Sequence, residues 1–388
     1  MRTVTDEERR ARIGVRHGLA VPAAGVEQAT RAVTCLHATE PASLYLSAFA
    51  RSGAGRDDVG EALYGERSVV RQLAMRRAVF AFPRDLLPAV RGSASARVAA
   101  RVAAQLAARL AKDVEAAGIT RDGAAWVTTA CTRALAALRE QPATTTQLRA
   151  RLPELNRRVP AESRYGAGTP AGPRVLTVLA AGGSVVRGIN NGGWKVSRPV
   201  WTPTGHWLDA DPSALDEAAG YAELARRWLW SHGPGTEADL VWWLGATKTA
   251  VRRALADVEA VEVRLEDGSR AWLHPDDTDE VSTREPWAAL LPALDPTTMG
   301  WQGRGFYLGD HAGRIFDRNG NGGPAAWWNG RIVGCWTQDE DGTVIIVPVG
   351  PLPRSAGEAL ARRAQELTAW LDGDVIRSNF QSPLLRAR

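Results

Sequence analysis

Lysine is nearly missing from this chain. Of 388 residues only Lys112, Lys195 and Lys248 are lysines, so almost all positive charge is arginine. Cysteine is equally sparse, with Cys35, Cys131 and Cys335 far apart. An odd, scattered count supports no disulfide framework and points to a reducing cytoplasm. No run of eighteen uncharged apolar residues occurs, which excludes a transmembrane helix and gives no reason to expect a membrane partner. The opening MRTVTDEERRARIG carries charge without an apolar core and does not read as a secretory signal. The six histidines (17, 37, 206, 232, 274 and 311) never fall within five residues of one another. No local metal site is expected from them, and no cofactor. Walker, His-Glu-x-x-His, Cys-x-x-Cys and Gly-x-Ser-x-Gly sequences are all absent. Asp317-Arg318-Asn319-Gly320-Asn321-Gly322 opens like a calcium loop, but its twelfth position is Trp328 where a bidentate Glu belongs. A hairpin turn explains it better.

What remains is an ordinary globular composition, 45% hydrophobic and 23% charged, with length enough for two or three domains. The net charge of +5 hides an asymmetry. Residues 1–200 hold 30 Lys and Arg against 16 Asp and Glu, and residues 201–388 hold 18 against 27. The first half is therefore +14 and the second −9. A basic half suggests a polyanion, and an arginine-rich composition bias is the bland alternative. Tryptophan is lopsided too: Trp126 alone precedes residue 190 and fourteen follow.

Along the chain the pattern repeats. An apolar-periodic run from Val26 to His37 predicts a helix, Pro41 can only open the next one over Ala42–Arg51, and Ser52-Gly53 stops it. A third helix from Asp57 to Gly65 and a strand pair within Ser68–Phe82 follow. Three short helices and a strand pair is the order of a winged helix-turn-helix unit. Residues 93–139 read as a connecting pair of helices broken at Gly118. A second unit starts at Thr144-Thr145-Thr146, continues through a loop at Val159–Pro173 and a helix at Arg174–Ala181, and ends in strands Ser184–Ile189 and Gly193–Trp201 around Asn190-Asn191-Gly192. A third has helices Tyr221–Ser231, Glu237–Leu244 and Thr247–Val258, then strands Val261–Leu265 and Ser269–Leu273 across Asp267-Gly268. Thr-x-x-x-Leu recurs at Thr144–Leu148 and Thr236–Leu240. From Pro286 onward short strands alternate with Asn-Gly turns before an amphipathic helix at Ser355–Leu371. The expected fold is mainly α with β, as three tandem winged-helix units and a C-terminal β domain. The expected divisions are 1–90 for the first unit, 91–140 for a helical connector, 141–210 and 211–280 for the second and third units, and 281–388 for the β domain.

Winged-helix units lay a helix in a DNA groove and clamp phosphates with the wing. Candidate duplex-DNA contacts are Arg71, Arg76 and Arg77 in the first wing, Arg187, Lys195 and Arg198 in the second, and Arg252 and Arg253 on the third recognition helix. For any one of them a solvated surface arginine is an equally good account.

One corner stands apart. Leu36-His37-Ala38-Thr39-Glu40-Pro41 sets two polar side chains, His37 and Thr39, between helices. Residue types alone favour Thr39 as an N-cap and His37 as a satisfied helix-end residue. This corner, with Met75-Arg76-Arg77 and Phe80, the Thr-led second unit, Leu290-Leu291-Pro292-Ala293-Leu294-Asp295 and Asn329-Gly330-Arg331-Ile332-Val333-Gly334-Cys335-Trp336, resembles the bacterial helix-turn-helix family of AlkZ- and YcaQ-type DNA glycosylases. The resemblance spans roughly residues 10–380. It implies three winged-helix units, a C-terminal β domain and hydrolysis of the N-glycosidic bond of alkylated or crosslinked purines. It also implies that positions 37 and 39 hold the catalytic water. Characterised members carry Gln-x-Gln or Gln-x-Asp there, and this chain has His37 and Thr39. A purine alkylated at N3 or N7 is already a good leaving group, so holding a water under the anomeric carbon is the main task. His37 can hold that water or, when neutral, take its proton, and Thr39 can add a second hydrogen bond. With no lysine at the corner for a Schiff base, a monofunctional glycosylase is expected rather than a lyase. Trp194 and Arg304 are candidates to line an open cleft between the winged helices and the β domain. A monomer is expected. The rival readings are a non-enzymatic DNA-binding regulator or lesion sensor, and an enzyme of this fold acting on something other than DNA.

Overall fold

A computed structural model describes residues 1–75, 78–160, 168–209, 213–283 and 285–386, apart from the side chains of 94–98. It is a mixed α/β chain whose helices carry short, mostly antiparallel sheets.

The first segment runs helix Val26–Arg31, strand Leu36–His37, helix Pro41–Ser52, helix Arg56–Gly60 with a wider turn Glu61–Gly65, then strands Val69–Leu73 and Val79–Pro83. The short strand pairs with Val79–Pro83, which pairs with Val69–Leu73. His37 thus lies on a strand, not at the end of a helix as the apolar period suggests. The helix ends at Arg31 because Thr34 takes a left-handed conformation (φ 67°), rare for a β-branched residue. Its hydroxyl is held by the Arg227 carbonyl at 3.1 Å and the Ser231 hydroxyl at 3.0 Å. The long-range fold, invisible to a local period, therefore turns the chain into the sheet. Pro41 opens the next helix as expected, and Gly53 (φ 69°) closes it in the left-handed region that glycine enters freely.

Helices Ala94–Ala116 and Gly123–Glu140 form the connector, with Gly118 between them at φ 66°. The second segment begins with helix Thr145–Arg151, where Thr144 and Gln147 form a reciprocal capping box. The presumed loop contains a short ladder between Arg158–Val159 and Thr169–Pro170, followed by helix Gly172–Ala181. Its hairpin differs from the Asn-Gly expectation. The strands are Val185–Asn190 and Pro199–Pro203, so the turn is a wide tip rather than a two-residue bend. Asn190 causes this: its amide donates to the Val196 carbonyl (2.9 Å) and accepts from Arg198 N–H (2.6 Å), folding the tip over itself.

The third segment follows its caps closely. Asp216, Thr236 and Thr247 cap helices Glu217–His232, Glu237–Leu244 and Lys248–Asp257, and Gly245 (φ 63°) ends the second of them. Strands Val261–Leu265 and Arg270–Leu273 form the hairpin, and Thr3–Val4 adds a third strand in parallel. Strands Ala288–Leu291, Ala325–Trp328, Arg331–Gln338 and Val344–Pro348 form an antiparallel meander, against which helix Arg354–Leu371 packs.

One apolar core runs through Phe80 and Phe82 of the first hairpin, Trp228 and Leu240 of the third segment, and Leu291 and Trp327 of the meander. The connector and second segment have their own, around Leu110, Leu138, Leu176 and Trp201. Among the described residues no helix is long and apolar enough to cross a membrane.

Candidate active site

His37 is buried (8% exposed) on its short strand, its ring edge-on to Phe80 at 5.2 Å between centroids. The Thr39 backbone N–H approaches His37 Nδ1 at 3.4 Å, a long hydrogen bond. With Nδ1 accepting, a neutral ring carries its proton on Nε2. Thr39 itself is exposed. It is not the N-cap of the next helix: Glu40 holds that position, and no side chain caps there. Instead the Glu40 carboxylate accepts the Asn379 N–H and the Ser378 hydroxyl, each at 2.7 Å, drawing the C-terminal tail across the corner. The Thr39 hydroxyl makes no hydrogen bond with any described residue.

Both side chains line a cleft of about 480 Å³ between the first segment, the third segment and the C-terminal region. The far wall comes from Trp242, Gln302, Arg304, Asn319 and Asn321. The Asp317 turn presents the two asparagines. Its carboxylate accepts the backbone N–H groups of Asn319 (2.8 Å) and Asn321 (2.9 Å) and the Asn321 side-chain amide (3.0 Å). The calcium-like sequence is therefore a carboxylate-pinned turn at the cleft rim. The loop before Arg304 is pinned in the same way, since Asp239 accepts from the N–H groups of Gln302 (2.8 Å) and Gly303 (2.9 Å). Trp242, Gln302, Asn319 and Asn321 were not singled out from the sequence. Only the Asp317 motif carried a local signal, and it was read as a turn.

The candidate cations fall in different places. Arg304 lines the cleft, its guanidinium 4.2 Å from the Phe316 ring centroid and 5.2 Å from that of Trp242. Burial lowers its pKa, though an arginine remains charged. Arg71 bridges the two hairpins, donating to the carbonyls of Arg187 (3.1 Å) and Gly188 (3.2 Å). Arg187 is lowered by burial and then by the nearby Arg71. Lys195 is paired with Asp374 at 2.5 Å, Arg252 with Glu237 at 2.6 Å, and Arg253 more loosely with Asp257 at 3.6 Å. Arg198 is exposed on the second hairpin and forms no ion pair with a described residue. Arg76 and Arg77 lie outside the described residues. Trp194 does not line the cleft. It packs against Tyr45 and Trp370 and donates to Asp374 at 2.8 Å, because the folded tip of its hairpin points it at the C-terminal region.

Behind the corner runs a buried polar seam. Arg51 and Asp295, both wholly buried, pair at 2.6 Å, and Ser47 and Thr297 bond to the same pair. Thr297 continues to His17 Nδ1 at 2.8 Å, and His17 Nε2 faces the Ser231 carbonyl at 3.0 Å. Ser231 in turn meets Thr34, three residues before His37. Burial holds His17 well below its ordinary pKa, and neighbouring His232 falls to about 3, also chiefly through burial. No group of three or more His, Cys, Asp and Glu suited to a metal ion occurs among the described residues.

Helical segments ending in hairpins, a meander domain and a polar corner facing a cleft define a class. The chain belongs to the DNA glycosylase AlkZ-like family, whose model matches residues 30–370. Among solved structures it is similar to the Streptomyces sahachiroi DNA glycosylase AlkZ, with a TM-score of 0.71 and 18% identity, covering 95% of this chain and 97% of that one. At that identity the likeness is one of fold. No curated protein sequence matches the chain.

Proposed function

We propose that this protein is a monofunctional DNA glycosylase that hydrolyses the N-glycosidic bond of alkylated purines in duplex DNA, including bulky or crosslinked adducts. The observation that carries this reading is the shared cleft of His37 and Thr39, with the Thr39 hydroxyl unengaged by any described residue. In the reaction the water oxygen bonds to the anomeric carbon as the bond to the purine nitrogen breaks. The bonding electrons leave with the purine, neutralising its positive charge, and the water's proton passes to solvent. His37 and Thr39 hold the water. The Thr39 N–H···Nδ1 contact favours His37 as a donor through Nε2 over His37 as a base. No lysine lines the cleft among the described residues, in keeping with hydrolysis without a Schiff base.

The three helix-and-hairpin segments serve as tandem winged-helix units, with the connector and divisions read from the sequence. Duplex DNA lies across the basic half, bound by a monomer acting in the cytoplasm on the nucleoid. Arg198 and Arg304 are the described candidates best placed to meet phosphates.

Single-turnover release of purine from an alkylated, labelled duplex, measured beside binding, tests the reading. His37→Ala lowers release by about 100-fold or more with little change in affinity, the usual effect of losing a positioned catalytic group. Thr39→Val lowers it by about fivefold, the equivalent of one hydrogen bond of about 1 kcal/mol. Wild-type release that stays flat from about pH 5 to 8 marks His37 as a water holder, whereas a fall toward low pH marks it as a base. Absence of release across a broad lesion panel makes the DNA-binding regulator the better account.

A further inference from the structure

The cleft has an electrostatic asymmetry. Its described lining contains one full charge, Arg304, and no carboxylate. The nearby acids are already engaged: Asp239 by the Gln302 and Gly303 amides and the Thr236 cap, and Asp317 by its own turn. The guanidinium is also fixed. Trp242 and Phe316 flank it, and Nε donates to the Trp301 carbonyl at 3.0 Å. The two terminal nitrogens have no hydrogen-bond partner among the described residues. A planar, half-buried cation held by aromatic rings, with its fork unengaged, is organised for a bidentate anion. Among the other described candidates, Lys195, Arg252 and Arg253 have carboxylate partners, Arg71 is engaged by backbone carbonyls and Arg187 by the Ser197 hydroxyl, while Arg198, without an ion pair among the described residues, stands exposed on the second hairpin and does not line the cleft.

An alkylated purine is cationic and is repelled by this group, so the anion must come from elsewhere on the nucleic acid. A cleft of about 480 Å³ accommodates a nucleotide rather than a whole duplex. We propose that Arg304 is a phosphate anchor: it binds one phosphodiester of the strand carrying the reacting nucleotide and thereby sets the sugar against His37 and Thr39. The inference rests on the glycosylase reading. It adds a positioning residue whose contact is to backbone and is therefore independent of base sequence.

The test uses the full-length protein and duplexes containing a tetrahydrofuran abasic analogue. Single linkages around the analogue are replaced one at a time by uncharged methylphosphonate. Wild-type affinity falls about tenfold at one linkage. Arg304→Met, which fills the same space without charge, binds the unmodified duplex about tenfold more weakly and becomes insensitive to that linkage. Its log–log salt slope is shallower by about 0.9, the signature of one lost phosphate contact. Arg304→Lys, keeping charge but not the fork, falls between the two. Thermal unfolding of each variant checks that the fold is retained. An unchanged methylphosphonate profile in Arg304→Met overturns the anchor, as does a wild-type profile with no sensitive linkage. Purine release from an alkylated duplex is followed in parallel. A profile that depends on Arg304 without any release upholds the anchor and rejects the glycosylase reading. Release without such a profile does the reverse.

Discussion

Two polar regions meet at the His37 corner, and they use the same residue types to opposite ends. In the seam behind it, Arg51 has Asp295, Ser47 and Thr297 as partners, and His17 bonds through both ring nitrogens. In the cleft, Arg304 has one carbonyl and two aromatic faces, and Thr39 has no hydroxyl partner among the described residues. The seam is buried and paired across Arg51 and Asp295, while the described lining of the cleft holds no carboxylate. Residue identity does not separate a structural arginine from one available to a substrate. Partner count and burial do.

The largest expected effect breaks the seam. Arg51→Met leaves the Asp295 carboxylate buried without its cation, and removing one partner of such a pair destabilises by about 3–5 kcal/mol. Urea unfolding measures it. Thr39→Val, at the exposed rim, changes stability by less than about 0.5 kcal/mol in the same assay. A similar loss from both would erase the distinction between the two regions.

A middling effect comes from pH. His17 and His232 are neutral in the folded chain, with pKa values pushed down by burial from an ordinary 6.5, His232 to about 3. As pH falls below 6.5 the unfolded chain takes up protons that the folded chain refuses. Stability is therefore complete above about pH 6.5 and is lost from there toward pH 3, by at most about 1.4 kcal/mol per pH unit for each ring. Urea midpoints at pH 7.5, 6 and 5 follow the slope, which His232→Leu makes shallower. An unchanged slope in that variant removes His232 from the account.

The smallest effect lies at the tip of the second hairpin. Asp374 gathers Trp194, Lys195 and Arg56 at the tip of the second hairpin. These groups are partly exposed, so Asp374→Asn alters global stability by less than about 1 kcal/mol. Its mark is local: amide exchange across residues 191–198 quickens while the seam stays protected. Unaltered exchange there would mean that Asn190 alone holds the tip.

Much of the fold was legible because its signals are local. Thr144 and Thr236 announce helices through caps, Gly53 and Gly245 end them, and Asp267-Gly268 makes a hairpin. Two failures also have physical causes. The Val26–His37 period ran past the true helix end because distant Arg227 and Ser231 hold Thr34 in its turn. The second hairpin widened because Asn190 bonds across it. At the site, the positions of His37 and Thr39 came from the family resemblance rather than from residue chemistry, which favoured a capping role for Thr39. Arg304 was named, but its aromatic clamp joins residues 242, 304 and 316, which no local pattern connects.

The parallel strand Thr3–Val4 has a consequence for how the chain is made. It pairs with Arg264 and Leu265, and Arg12 in the next helix bonds to Asp277. At about 5–20 residues per second, a ribosome needs roughly 10–50 s to supply those partners. The sheet of the first segment, by contrast, is complete once Pro83 has emerged. Thr3 and Val4 thus wait for partners made about 260 residues later, and this long loop closure ties the hairpin of the third segment back to their strand.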